Sequence, residues 1–184
     1  MLRHRLGYLP RLKQSIWVHA ESLGEVKAAS ALIKSLIQKY PELSLMITVQ
    51  TQSGFDEANQ QFSQIAHIAY VPYDWPGWVC RAVSRINPVI FLSVENSLWP
   101  ARFWACARKN IPVVLINAKI GRRTLKFYER WPIIARLVLK NISHVFAASH
   151  EQAERFKALG FKQVEVPGEL KLLSNLSERV AICC

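Results

Sequence analysis

No apolar run in this sequence approaches the ~18 residues that a bilayer-spanning helix needs. The longest candidate, residues 131–139, is short and carries Arg136. The first residues are basic with no apolar stretch behind them, so no secretory signal is expected. There are only four cysteines and no CxxC pair. That pattern argues against a disulfide framework or a zinc site and fits a reduced, cytosolic setting. His19, His67, His144 and His150 are scattered without metal-ligand spacing, so no metal is expected. A Walker A loop and a GxGxxG turn are both missing, which removes the usual grounds for a dinucleotide site. There is no nucleophile elbow, no cysteine–histidine pairing, no internal repeat and no low-complexity tract.

What is present is enough for one folded domain. The chain has 184 residues, 51% apolar and 20% charged, which excludes disorder and allows a sizeable core. Its net charge of +11 is concentrated. Residues 1–14 carry Arg3, Arg5, Arg11 and Lys13 with no acid, a local +4. Residues 119–140 carry seven basic residues against Glu129, a local +6. Concentrated positive charge points to a polyanion: nucleic acid, an anionic membrane surface or a phosphorylated substrate. The plain alternative is a solvated basic face. No nucleic-acid-binding motif or aromatic-basic platform is present, so nucleic acid is not the expected partner.

Short apolar runs alternate with longer amphipathic ones. Strands are expected at 15–19, 43–49, 67–71, 89–94, 112–117, 144–147 and 163–166. Helices are expected at 24–40, 53–64, 77–86, 98–109, 122–140 and 150–159. The strand runs are continuously apolar, as in a parallel sheet covered on both faces. The fold class is therefore α/β, a Rossmann-like doubly wound parallel sheet spanning residues 15–171 behind a basic segment at 1–14. Such sheets bind ligands beyond the carboxyl ends of their strands. The loops at those ends hold most of the polar residues of the domain.

Four of these loops carry usable chemistry. Ser22, Gly24 and Glu25 follow the first strand and open a helix, where free N–H groups favour an anion. The helix dipole stabilises Glu25 as a carboxylate that can take a proton from a hydroxyl; alternatively it only satisfies local N–H groups. Thr51, Ser53 and Gly54 form a second small-residue turn, suited to a phosphate or sugar hydroxyl, with Ser53 equally an ordinary N-cap. Glu95 ends a strongly apolar strand, where an unpaired carboxylate is costly. Asn117 and Lys119 end the next strand. Lys119, Arg122 and Arg123 together suit a phosphate, with arginine the better bidentate partner.

Taken in order, these loops resemble one family. Trp17, His19, Ala20, Ser22, Gly24 and Glu25 match the W-hydrophobic-H-A-x-S-hydrophobic-G-E signature of the Kdo (3-deoxy-D-manno-octulosonic acid) transferases. Tyr70, Pro72, Tyr73, Asp74 and Pro76 resemble its Y-x-P-Y-D-x-P segment. Glu95, Leu98, Trp99 and Pro100 resemble E-T-E-L-W-P, and Asn117, Ala118, Lys119 and Arg123 resemble N-A-R-L-S-x-R-S. Arg155-Phe156, Leu159-Gly160 and the Val166–Lys171 stretch complete a collinear match over residues 5–171.

The resemblance implies the N-terminal half of a GT-B glycosyltransferase, two Rossmann-like domains facing a cleft. This half would receive a lipid A precursor at the cytoplasmic face of the inner membrane, as a peripheral protein on an anionic surface. No cofactor is implied; the donor substrate is CMP-Kdo, held by a separate donor domain expected to be absent from this chain. The displacement inverts the anomeric centre, and Glu25 matches the carboxylate thought to act as base. The other candidates above would bind the acceptor and its phosphates. An alternative is a catalytically inactive lipid A or anionic-membrane binding fragment. Glu21, Ser97, Lys119, Gly121 and Glu169 depart from the family pattern, and a carboxylate at 21 is expected to raise the pKa of one acid nearby. Residues 172–184 do not continue the pattern and are read as a tail.

Overall fold

A computed structural model describes residues 1–95, 98–139 and 142–166. The expectations for Ser97, Lys140, Glu169 and the tail lie outside the described residues. The elements run α1 (Leu2–Arg5), β1 (Ser15–His19), α2 (Leu23–Lys39), β2 (Ser44–Val49), α3 (Gln52–Phe62), β3 (His67–Tyr70), α4 (Pro76–Ile86) and β4 (Pro88–Val94). They continue with α5 (Pro100–Ala107), β5 (Val113–Ala118), α6 (Arg122–Arg130), α7 (Pro132–Leu139), β6 (Ile142–Ala147), α8 (His150–Ala158) and β7 (Val164–Glu165).

The seven strands among the described residues are all parallel, in the order β3-β2-β1-β4-β5-β6-β7. This is the doubly wound Rossmann-like arrangement that the alternation implied. Side chains alternate between the two faces of each strand. Trp17 of β1 enters one core with Phe91, Phe103 and residues of α4 and α5. Ile16 and Val18 enter the other, with Val26, Ala29, Leu32 and Ile33 of α2. Every residue of β1 is buried, so the strand has no solvent face. The chain reverses its winding between β1 and β4, which opens a crevice beyond the carboxyl ends of those two strands.

Several boundaries differ from the sequence reading. The single helix expected at 122–140 is two helices. Pro132 has no N–H to donate and disfavours a helical residue before it, and Trp131 adopts φ −123, ψ 68. The helix expected from Gly24 is α2, which starts at Leu23 with Ser22 as its cap, and α1 was not expected. The cap of α3 is Thr51, whose hydroxyl accepts from the Gly54 N–H at 3.1 Å, and not Ser53.

The basic N-terminal segment packs on the domain. Leu9 is fully buried, and Arg5 is buried too. Arg5 donates through Nη1 to Gln50 Oε1 at 2.7 Å and to the Val71 carbonyl at 3.1 Å. Its Nη2 donates to the Gln50 carbonyl at 2.6 Å. One of the four positive charges counted at 1–14 is thus internal, tying α1 to the ends of β2 and β3. Gly7 makes the turn at φ +80, and a Cβ there would lie 2.1 Å from the Trp78 carbonyl oxygen. Gly7→Ala meets both a backbone penalty and a collision with backbone, and is expected to cost more than about 1 kcal/mol. A thermal melt checks this; a Tm within 1 °C (roughly the effect of a few tenths of a kcal/mol) would show that the segment repacks freely.

Candidate active site

The crevice is built from four loops. In the first, Ser22 caps α2 and Glu25 sits in its opening turn. Ser22 Oγ accepts from the Glu25 N–H at 3.4 Å and donates to Glu25 Oε1 at 3.3 Å. Glu25 Oε2 accepts from the Glu21 N–H at 2.7 Å. The carboxylate is therefore placed by the capping serine and by the backbone N–H of the residue before it. Half-buried, its pKa is raised from the ordinary glutamate value, first by desolvation and then by the charges of Glu21 and Glu95, against the lowering hydrogen bonds from Glu21 N–H and Ser22. The expectation that Glu21 would raise an acid beside it agrees in direction, though burial is the larger cause.

The second loop is locked to the first. The Glu21 carbonyl accepts from the N–H groups of Gln50 and Thr51, both at 3.0 Å, and from Thr51 Oγ1 at 3.2 Å. Gly54 is buried here; a Cβ would sit 3.1 Å from Thr51 Oγ1 and 3.2 Å from the Ser22 carbonyl carbon. Its role is close approach of the α3 start to the loop before α2. Ser53 Oγ lies 3.4 Å from Thr51 Oγ1 and is exposed. Gly24 is exposed, and a Cβ there would make ordinary contact with Ser22 Oγ at 3.9 Å.

The third group lies at the ends of β4 and β5. Glu95 and Asn117 both have left-handed backbone, φ 58 and φ 51. Glu95 Oε1 accepts from Asn117 Nδ2 and from Lys119 Nζ, each at 3.1 Å. The sequence-based candidates Glu95, Asn117 and Lys119 thus form one cluster, electrostatically linked to Glu25. Arg122 and Arg123 follow at the exposed start of α6 and form no ion pair with any described residue. Phe127, Trp131 and Ile133, further along α6 and at the start of α7, are exposed as well.

Three features escaped the sequence reading. Asp74, in the β3–α4 loop, caps α5 from a distance: its carboxylate accepts from the Ala101 N–H at 3.1 Å and the Arg102 N–H at 3.2 Å. It also pairs with buried Arg102, Nε to Oδ1 at 3.8 Å. Burial pulls the Arg102 pKa down to about 10. The Trp99 indole N–H donates to Glu21 Oε1 at 2.7 Å, joining the α5 start to the first loop. Beneath them, His19 is fully buried, with Nδ1 3.0 Å from the Thr48 carbonyl, which can only accept. Burial first, and then Arg102, holds its pKa well below the usual histidine value, so its 4.0 Å approach to Glu21 is not an ion pair. The Trp-Pro pair at 99–100, which starts a helix without a capping side chain of its own, was the one signal for these contacts.

Among the described residues, no group of three or more His, Cys, Asp or Glu is placed to hold a metal ion. A groove of about 780 Å³ lies elsewhere, lined by Ile133, Arg136, Leu159 and Phe161 among others; none of the crevice carboxylates lines it. Chemistry, and not cavity size, makes the crevice the candidate site. No described helix is long and apolar enough to cross a membrane.

Comparison with known proteins bears on family and fold. A Kdo transferase of Haemophilus influenzae is 28% identical over 169 residues, covering 91% of this chain and 40% of that protein. One from Bordetella pertussis is 29% identical over 172 residues, with the same two coverages. The chain therefore spans about two fifths of the length of these curated relatives. Among solved structures, the UDP-GlcNAc 2-epimerase of Neisseria meningitidis, bound to UDP-GlcNAc, superposes with a TM-score of 0.58 at 18% identity. It covers 90% of this chain and 50% of that one, a likeness of fold. The family profile described as 3-deoxy-D-manno-octulosonic-acid transferase (kdotransferase) matches residues 1–174, and the chain belongs to that family.

Proposed function

We propose that this chain is the acceptor-binding half of a Kdo transferase, acting on a lipid A precursor with CMP-Kdo supplied by a donor domain. The observation that carries the reading is Glu25: a half-buried carboxylate of raised pKa, oriented by Ser22 and the Glu21 N–H, at the switch point of the sheet. A carboxylate whose pKa is raised holds a proton more tightly than an ordinary glutamate, which suits it to take one from a hydroxyl. Glu25 removes that proton as the acceptor oxygen forms its bond to the anomeric carbon of Kdo. The bond from that carbon to the phosphate of CMP breaks on the opposite side, CMP leaves with the electron pair, and the centre inverts. Lys119, Arg122 and Arg123 meet the acceptor phosphates. Glu95 and Asn117 hold Lys119 in place, and the small residues Ser22, Gly24, Thr51, Ser53 and Gly54 shape the floor. The face bearing Phe127, Trp131 and Ile133 among Arg122, Arg123, Lys126, Arg130 and Arg136 rests on an anionic membrane surface at the cytoplasmic side, where apolar rings and basic heads act together.

A second reading, a lipid A binder without catalysis, is favoured by one fact: both Glu25 oxygens already accept local hydrogen bonds. The test is transfer of Kdo from CMP-Kdo to a tetra-acylated lipid A precursor, using the chain alone and with a separately supplied donor domain. Activity that needs the added domain and disappears in Glu25→Gln is the expected result. Saturable acceptor binding without turnover in either mixture, with a competent donor domain, would select the second reading.

A further inference from the structure

Trp99 is held on two sides and open on a third. Its indole N–H donates to Glu21 Oε1 at 2.7 Å, which fixes the edge of the ring. The Arg102 guanidinium carbon lies 5.0 Å from the ring centroid, which supports one face. Arg102 is itself 2% exposed, and its Nε and Nη1 find no hydrogen-bond acceptor. The guanidinium therefore serves as a plate beneath the indole more than as a donor fork, an arrangement in which cation and π face attract. Trp99 nevertheless remains 38% exposed. An indole fixed in plane, backed by a buried cation and left with accessible aromatic surface is a preorganised stacking surface. It stands beside the carboxylates of the crevice, since the residue that accepts from Trp99 also donates its backbone N–H to Glu25.

We propose that Trp99 is the stacking platform for a pyranose ring of the acceptor, and that Glu21 and Arg102 are positioning residues that hold its plane. The chemistry that fits is the apolar C–H face of a sugar laid on the indole, with its hydroxyls and phosphate turned towards Glu25, Glu95 and Lys119. This rests on the acceptor-domain reading above. It also gives the departure at Glu21 a purpose: a small residue there would leave the indole N–H without this acceptor.

The experiment uses the full chain labelled with nitrogen-15, with the Trp99 indole signal assigned by Trp99→Phe. The probe is a bisphosphorylated glucosamine disaccharide without acyl chains, with CMP as the comparison ligand. Saturable movement of the Trp99 indole signal by the disaccharide, with the Trp104 and Trp131 indoles unmoved, is expected. In calorimetry Trp99→Ala and Trp99→Leu should weaken disaccharide binding about tenfold, while Trp99→Phe stays within about threefold. Glu21→Gln should shift the Trp99 indole signal before any ligand is added. The leucine variant keeps bulk, so a folding failure of the alanine variant leaves the question answerable. Unchanged affinity in a folded Trp99→Leu protein would overturn the platform alone. Movement of the Trp99 signal by CMP and not by the disaccharide would overturn it too. An absence of saturable disaccharide binding by the wild-type chain would instead sink the acceptor-domain reading on which it depends.

Discussion

Asp74→Ala is expected to lower stability by about 3–5 kcal/mol, the range for breaking a buried ion pair by removal of one partner. Arg102 keeps only 3% of its side chain exposed and Asp74 only 14%, so water cannot take over from the missing carboxylate. The same substitution strips the Ala101 and Arg102 N–H groups of their acceptor at the start of α5. For a chain of this size the melting temperature should fall by roughly 10 °C. Combining Asp74→Ala with Arg102→Leu should recover part of the loss, because the stranded buried charge goes with it. Melting curves of the single and double variants check the account. A single variant that melts within about 2 °C of the wild type would mean the pair and the cap contribute little.

Glu25→Gln carries the largest expected effect on activity. Loss of a general base typically costs about 10²- to 10⁴-fold in rate, and the amide keeps a carbonyl oxygen to accept from Glu21. Its effect on stability should run the other way. The folded-state pKa of Glu25 lies above its ordinary value of 4.5, so the folded chain binds that proton more tightly than the unfolded chain. Ionising Glu25 therefore opposes folding, and the penalty develops as pH rises from the unfolded pKa through the folded one. At neutral pH the glutamine variant should melt above the wild type, with the gap closing as pH falls towards 4.5. Melting curves from acid to neutral pH, paired with the transfer assay, measure both halves. A variant that is inactive and also less stable at neutral pH would make Glu25 a structural residue.

The sheet was legible because each strand is an apolar run and each helix repeats its apolar positions. Val26, Ala29, Leu32 and Ile33 read as one buried stripe and are one. The strand-to-helix turn before Glu25 was legible from its small residues, but its start was placed at Gly24 and the Ser22 cap was not read. The contacts that complete the crevice are of another kind. Asp74 caps a helix that begins 26 residues later, and Glu21 meets an indole 78 residues away. No local pattern encodes either. Arg5 was counted with the surface charge because composition cannot tell a buried guanidinium from a solvated one; only the fold brings Gln50 and the Val71 carbonyl to it. The break at Trp131 differs again. Pro132 announced it, and the apolar run on either side masked it.

The backbone at the end of β4 has an evolutionary reading. Glu95 occupies left-handed φ/ψ space, which asparagine tolerates and glycine enters freely, but which costs most other residues about 1 kcal/mol or more. Asn117, in the same conformation one strand over, is the residue type that drift towards stability would choose. A lineage selected for robustness alone would replace Glu95 in the same way. With Glu95 beside Lys119, this chain forgoes stability to keep a carboxylate at the mouth of the crevice. Laboratory selection of this protein for heat resistance alone should release that constraint, and position 95 is where glycine or asparagine should arise early.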